Sequence, residues 1–365
     1  MKITCTTEHL KTAVLTTERF TGRNVTLPIL SHILITVKER KISLSATNLE
    51  IGIEYNIPGK IQKPGNITIP AKLLSQILHS IQDEATTLEV KSQQLTLHTI
   101  SSDITLHGLN PNDFPTLPAI RREHTFHIGA SELVANLQRV LPAAATTDLK
   151  PELAGILIAT SPNTITLAAT DSFRLAEKIL TTPTGIEENT QVIVPARAML
   201  EVLRTLGASD EDVEVNVGEH QIVLEWNETK VLSRLIDGTY PPYQSLFPKA
   251  YETTLVVNRD DLIKKIRLAS VFSSRLNDVT LKFSPTELTV STANSETGTT
   301  TSRLSAQGRG GTGSVMFNYR YLLDGLETTG GKEVTIYLNG VAGPALIQNP
   351  SDTSYRYLLM PIRST

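Results

Sequence analysis

Apolar and polar positions alternate through HILITVKERKISLSATN, ILIATSPNTITLAATD and VTLKFSPTELTVSTAN, each two runs of period two around a short turn, which predicts three antiparallel hairpins. They end on Asn48, Asp171 and Asn294, spaced by 123 residues. A second pattern passes from a β-like run to apolar positions at i, i+3 and i+4, and so predicts a strand followed by a helix. It occurs at 2–15, 125–141 and 254–272, with Leu10, Leu133 and Leu262 in matching places. A third, NITIPAKLLSQILHSI (66–81), QVIVPARAMLEVLRTL (191–206) and SVMFNYRYLLDGLETT (314–329), aligns Pro70, Pro195 and Asn318 and predicts a second strand running into a second helix. A fourth alternating pair closes on Phe114-Pro115, Tyr240-Pro241 and Met360-Pro361.

Four patterns recurring three times in one order define an internal repeat of about 122 residues. Each copy reads as two helices packed on about eight short antiparallel strands, an α+β unit. The expected domains are 1–120, 124–248 and 253–365, joined by linkers at 116–123 and 248–253. Repeated modules leave strand edges that need partners, and head-to-tail contacts with a fixed rotation close into a ring.

Composition narrows the function classes. The 365 residues carry 34 Lys and Arg against 37 Asp and Glu, a formal charge of −3, so nucleic-acid contact has to come from charge placement rather than net charge. The lone cysteine, Cys5, cannot form an internal disulfide, and no Cys/His spacing suits zinc. No apolar run is long enough for a signal peptide or membrane span, so a cytoplasmic location and no membrane partner are expected. The eight histidines are scattered without a metal-site or catalytic companion, and no nucleophile, base and orienting group come together, so neither an enzyme nor a bound cofactor is expected. Asp171 and Arg174 read as a turn-stabilising pair. The glycine-rich 308–313 lacks the P-loop order and reads as a mobile connector. The helical segments carry Lys11, Arg19, Lys72, Arg139, Arg197, Arg204, Lys264, Lys265, Arg267 and Arg320, with Lys332 just beyond, while acids such as Glu132, Asp260 and Asp261 gather in first turns. That pattern suits a solvated helix face as well as a surface that meets DNA.

The fragments LPIL (27–30), ATDSFRLA (169–176), VPAR (194–197), LIDGTYPPYQSLFP (235–248) and MPIR (360–363) resemble the bacterial DNA polymerase III beta subunit family, the replicative sliding clamps, over the whole chain. The resemblance implies three sliding-clamp domains per subunit and a head-to-tail homodimer. The resulting six-domain ring encircles duplex DNA without regard to sequence and tethers a polymerase for processivity. It also implies as partners the DNA polymerase III catalytic subunit, a clamp loader and other proteins that carry clamp-binding peptides. A repeat-built peptide-binding scaffold that never encircles DNA is the alternative, and a hydrolase a distant third.

By the same resemblance, Arg23, Lys72, Arg197, Lys264 and Lys265 would contact DNA. A partner-peptide pocket would draw on Leu153, Thr170, Ser172, Phe173, Arg174, Leu175, Pro241, Leu246, Asn318, Tyr321, Leu358, Leu359, Met360, Pro361 and Ile362. Each leucine taken alone reads first as plain core. Phe173 stands where the family often has His and Ser245 where it often has a base, so the pocket's rim differs. Pro151 and Glu152 replace aromatic residues at a loop that would stack on single-stranded template. At the subunit seam the family sets a basic first-domain strand against an acidic third-domain strand. Here LTLHTISSDITLHGL (95–109) has no Lys or Arg, and ETGTTTSRL (296–304) has one Glu and four Thr. Loss of both signs together predicts a neutral dimer interface carried by strand pairing, threonines, Ile104 and the Val271-Phe272 pair.

Overall fold

The computed structural model describes residues 1–22, 27–118, 121–147, 149–207 and 210–362. The first third of the chain runs β1 (Lys2–Thr6), α1 (Thr7–Glu18), β2 (His32–Lys38), β3 (Lys41–Thr47), β4 (Ile51–Ile57), β5 (Lys60–Lys63), β6 (Gly65–Pro70), α2 (Ala71–Ser80), β7 (Ala85–Lys91), β8 (Gln94–His98) and β9 (Asp103–His107). The second runs β10 (His124–Gly129), α3 (Ala130–Val140), β11 (Gly155–Ser161), β12 (Thr164–Thr170), β13 (Arg174–Thr181), β14 (Thr190–Pro195), α4 (Ala196–Leu206), β15 (Asp212–Val217), β16 (Gln221–Trp226) and β17 (Thr229–Arg234). The third runs β18 (Thr253–Asn258), α5 (Arg259–Ser270), β19 (Asp278–Phe283), β20 (Glu287–Asn294), β21 (Gly298–Ser305), β22 (Gln307–Arg309), β23 (Gly313–Asn318), α6 (Tyr319–Thr329), β24 (Glu333–Leu338), β25 (Ala345–Asn349) and β26 (Asp352–Leu359).

Every helix follows directly on a strand, and local chemistry makes the switch. The Thr6 hydroxyl accepts from the His9 N–H, and the side chains of Asn258 and Asn318 accept from the N–H groups of Asp261 and Arg320. Each cap satisfies a donor that the first helical turn leaves unpaired. Pro70, at φ −53°, ends β6 where α2 begins. Leu10, Leu133 and Leu262 are all buried, as their shared place in the repeat requires.

Contacts divide the chain into two units, the first holding residues 1–134 and 197–235, the second 135–196 and 236 onward. The first unit contains a five-stranded sheet, β5-β1-β7-β8-β9, and an eight-stranded sheet, β10-β15-β16-β17-β4-β3-β2-β6. The second contains a nine-stranded sheet, β14-β11-β12-β13-β26-β25-β24-β18-β22, and a four-stranded sheet, β21-β20-β19-β23. All these pairings are antiparallel, so the larger sheets each join strands from successive repeats, β17 to β4 and β26 to β13.

The hairpin turns repeat as well. Asn48, Asp171 and Asn294 each accept, through a side-chain oxygen, from the N–H groups two and three residues on. Ala46 then pairs with Ile53 and Ala169 with Ala176, but Thr292 pairs with Thr300, because the third turn holds one more residue. The glycine-rich stretch departs from the expected mobile connector. Gln307–Arg309 forms the edge strand β22 against β18, and a Cβ on Gly308 would lie 2.4 Å from the Thr254 carbonyl oxygen. Its glycines serve close strand approach there rather than freedom.

Candidate functional site

In the second unit, the turn between β12 and β13 lies against the end of β26. The Met360 N–H donates to the Phe173 carbonyl at 2.8 Å, and Arg174 and Leu175 pair with Leu359 and Leu358. Beneath them, Leu175 and Leu358 join Leu157, Ala168, Ile193, Tyr240, Tyr243 and Leu346 in one buried cluster. Leu175, Leu358 and Leu359 are at most 3% exposed, and Leu153 is buried in the 3-10 turn Pro151–Ala154. The core reading therefore holds for these leucines. The accessible apolar surface comes instead from Phe173 at 61% and Leu246 at 52%, with Pro241, Met360, Pro361 and Ile362 half-buried.

The polar members of the expected pocket fix local geometry. The Thr170 hydroxyl donates to the Arg174 carbonyl at 2.6 Å, Ser172 holds the turn at φ +78°, and Asn318 caps α6. The Arg174 guanidinium bonds Asp171 at 3.0 Å, pairs with Asp324 of α6, and sits 4.2 Å from the Tyr321 ring centre. Asp171 and Arg174 thus form the expected turn-stabilising pair, extended by Asp324. Sequence reasoning missed Glu177, which is 2% exposed and pairs with Arg356 across β13 and β26, while Arg356 stacks 3.8 Å from the Phe247 ring centre. Burial, with Glu177 beside it, pushes the Tyr243 hydroxyl far above the ordinary tyrosine range. Only the aromatic spacing of Tyr240-Pro-Pro-Tyr243 signals this arrangement in the sequence.

Of the basic residues, Arg23 lies outside the described residues. Lys72 and Arg197 are exposed in the first turns of α2 and α4, which contain no acid. Lys264 is exposed and 3.7 Å from Asp261, and Lys265 is half-buried. Ile104 helps line a cavity of about 620 Å³ at the end of α2, together with Ile77 and Ile81. Val271 is 71% exposed at the end of α5, and the Phe272 ring lies beside Gly298. No helix among the described residues is long and apolar enough to cross a membrane.

Models of three domains of one family match the chain in order: DNA polymerase III beta subunit, N-terminal domain, over residues 1–118; central domain, over 127–242; and C-terminal domain, over 244–363. The chain belongs to the bacterial DNA polymerase III beta subunit family. A beta sliding clamp of Synechococcus elongatus is 28% identical, the match covering 100% of this chain and 99% of that protein. One of Staphylococcus epidermidis is 29% identical over 93% of each. The crystal structures of the DNA polymerase sliding clamp from Bacillus subtilis and of the DNA polymerase III subunit beta from Pseudomonas aeruginosa superpose with TM-scores of 0.95 at 26% and 29% identity, covering 100% of both chains. The family's fold, three clamp domains with two helices each on antiparallel sheets, is the one described above.

Proposed function

We propose that this sliding clamp closes into its homodimeric ring by pairing β9 with β21 of a second copy, and that its helix-borne cations and the Phe173–Met360 rim are its working surfaces. As a family member the chain encircles DNA and confers processivity without catalysing a reaction. One observation carries the closure. Both internal joints between repeats use one register, Val231 opposite Ile53 and Tyr357 opposite Ala176. The strands equivalent to these, β9 and β21, each lie at a sheet edge. Matching hairpin partners makes Ile104 equivalent to Val231 and Tyr357, and Thr300 equivalent to Ile53 and Ala176. A second copy joined in the same register sets Ile104 opposite the partner's Thr300. It also offers the cavity beside Ile77 and Ile81 to the partner's Val271. Unpaired edges are sites of association, and head-to-tail association that closes gives a ring.

The DNA surface follows from charge placement. A solvated face would put acids in the first helical turns, yet α2 and α4 put Lys72 and Arg197 there, against the dipole. A cation beside free N–H groups suits a phosphate oxygen. A closed ring needs no tight phosphate contact, so weak, water-bridged contacts hold it while it slides. On the second unit, Phe173, Leu246 and Met360 above the buried leucines suit short peptides with Leu or Phe anchors, as carried by the polymerase catalytic subunit, the clamp loader and other clamp-binding proteins. The three modules at 1–120, 124–248 and 253–365 then give six domains per ring.

Disulfide trapping tests the seam. The double variant Ile104→Cys, Thr300→Cys should give covalent dimers on mild oxidation. The pair Ile104→Cys, Thr299→Cys, one residue out of register, should not, since a one-residue slip turns the side chain to the other face. Equal trapping of both pairs, or of neither, would reject the register.

A further inference from the structure

The turn-and-strand construction of the second unit is built a second time, within the first. Thr47 Oγ1 donates to the Ile51 carbonyl at 2.8 Å, as Thr170 does to Arg174. The Arg234 N–H donates to the Glu50 carbonyl at 2.8 Å, as Met360 does to Phe173. Leu49 takes the place of Ser172, both at φ +78°. A non-glycine residue in that region is uncommon, and for a bulky side chain it is costly. Leu49 nevertheless stays 46% exposed.

The second copy differs in the groups it presents. Gly52 stands where the other has Leu175, and Leu117 of the linker fills the space so left, its Cδ2 lying 2.6 Å from where a Gly52 Cβ would be. Above it is a cavity of about 170 Å³ lined by Thr47, Leu49, Pro115, Leu117, Leu232 and Arg234 among others, with no acidic side chain in its lining among the described residues. An apolar cavity of ~150 Å³ accepts a benzene-sized group, whereas drug-sized ligands take ~300–1,000 Å³. The space is therefore sized for one aliphatic side chain. Exposed Arg234, where the other site has half-buried Met360, sets a cation at the mouth.

We propose that this pocket is a separate docking site for an extended segment of a partner protein, seating one leucine or isoleucine with a neighbouring carboxylate against Arg234. Main-chain groups of the turn and linker would orient the segment, the aliphatic anchor would supply affinity, and the charge would select acidic flanks. The inference rests on the geometry of the first unit alone and stands whether or not the Phe173–Met360 rim binds peptides.

The test is titration of the 365-residue chain, leucine-methyl labelled, with acetylated, amidated Asp-Leu-Asp, followed by NMR. Saturable shifts are expected at the methyls of Leu49, Leu117 and Leu232, and none with Asp-Ala-Asp. Arg234→Gln should weaken binding ~2–5-fold, the range of an exposed ion pair, and so should the Asn-Leu-Asn probe on the unaltered protein. Absence of a saturable shift, shifts confined to Leu175, Leu246 and Leu358, or undiminished affinity of Asn-Leu-Asn would each overturn the proposal.

Discussion

Raising sodium chloride from low to high concentration should leave the dimer nearly unchanged, which is an unusual demand on an interface built from two exposed strands. In the proposed register Asp103 faces the partner's Thr301, Thr105 faces the partner's Thr299 and Leu106 faces the partner's Gly298. The Asp103 carboxylate is already engaged within its own chain, 2.6 Å from His98 Nδ1. No ion pair then crosses the seam between facing residues. Backbone hydrogen bonds and burial of Ile104 and Val271 remain, and screening hardly touches these terms. Between 0.1 and 1 M salt the Debye length falls from ~10 Å to ~3 Å. Four exposed ion pairs at ~0.5 kcal/mol each would cost ~2 kcal/mol, about thirty-fold in the dissociation constant, whereas a neutral seam should change by less than ~3-fold. Sedimentation equilibrium or subunit exchange between fluorescently labelled dimers reads this directly. A tenfold or greater weakening across that range would refute the neutral seam.

Other outcomes follow from the same geometry. Met360→Ala, or removal of residues 360–365, should weaken a Leu/Phe peptide by ~1–3 kcal/mol for one anchor while leaving the dimer intact, measured by fluorescence anisotropy. Reversing Lys264 and Lys265 to Glu should weaken DNA contact for all sequences alike and lower the salt slope by ~1 per lost phosphate contact. Asp352 bonds Arg139 at 2.8 Å and Ser354 N–H at 3.1 Å, with Lys178 at 3.5 Å; burial opposes its ionisation, but Ser354, Arg139 and Lys178 outweigh that and hold its carboxyl at about 2. Its folded value lies below the ordinary aspartate value of 3.8, so its stabilisation is present above about pH 4 and is lost as pH falls toward 2. Asp352→Asn should cost ~1–2 kcal/mol at neutral pH and flatten the acid limb of the melting curve between those values.

The repeat was legible because its markers act locally. Pro70 and Asn258 sit where a strand hands over to a helix, and Asn48 and Asp171 make turns out of their own side chains, so spacing alone located them. That edge strands of neighbouring repeats pair was expected, but which strands pair was not legible, because β17 meets β4 across more than 170 residues and no local pattern records that pairing. The extra residue in the third turn, which moves the partner of Thr292 to Thr300, shows only in the register. Glycine content marked 308–313 as a loose link, but what glycine supplies there is room for the Thr254 carbonyl. At the peptide rim, the family resemblance brought in Leu175 and Leu358 together with Phe173, and apolar patterning could not separate the floor of a pocket from its mouth. Lys178 reads as polar within a strand, yet it is 8% exposed because Asp352 and Ser354 meet its ammonium group.

The central claim is that the chain holds DNA by enclosing it. Loaded clamps on a nicked circular duplex should stay bound through gel filtration in high salt and should be released when one restriction cut linearises the circle. The trapped Ile104→Cys, Thr300→Cys ring should persist longest on the closed circle. Equal loss from circular and linear DNA, or retention set by salt alone, would contradict the account.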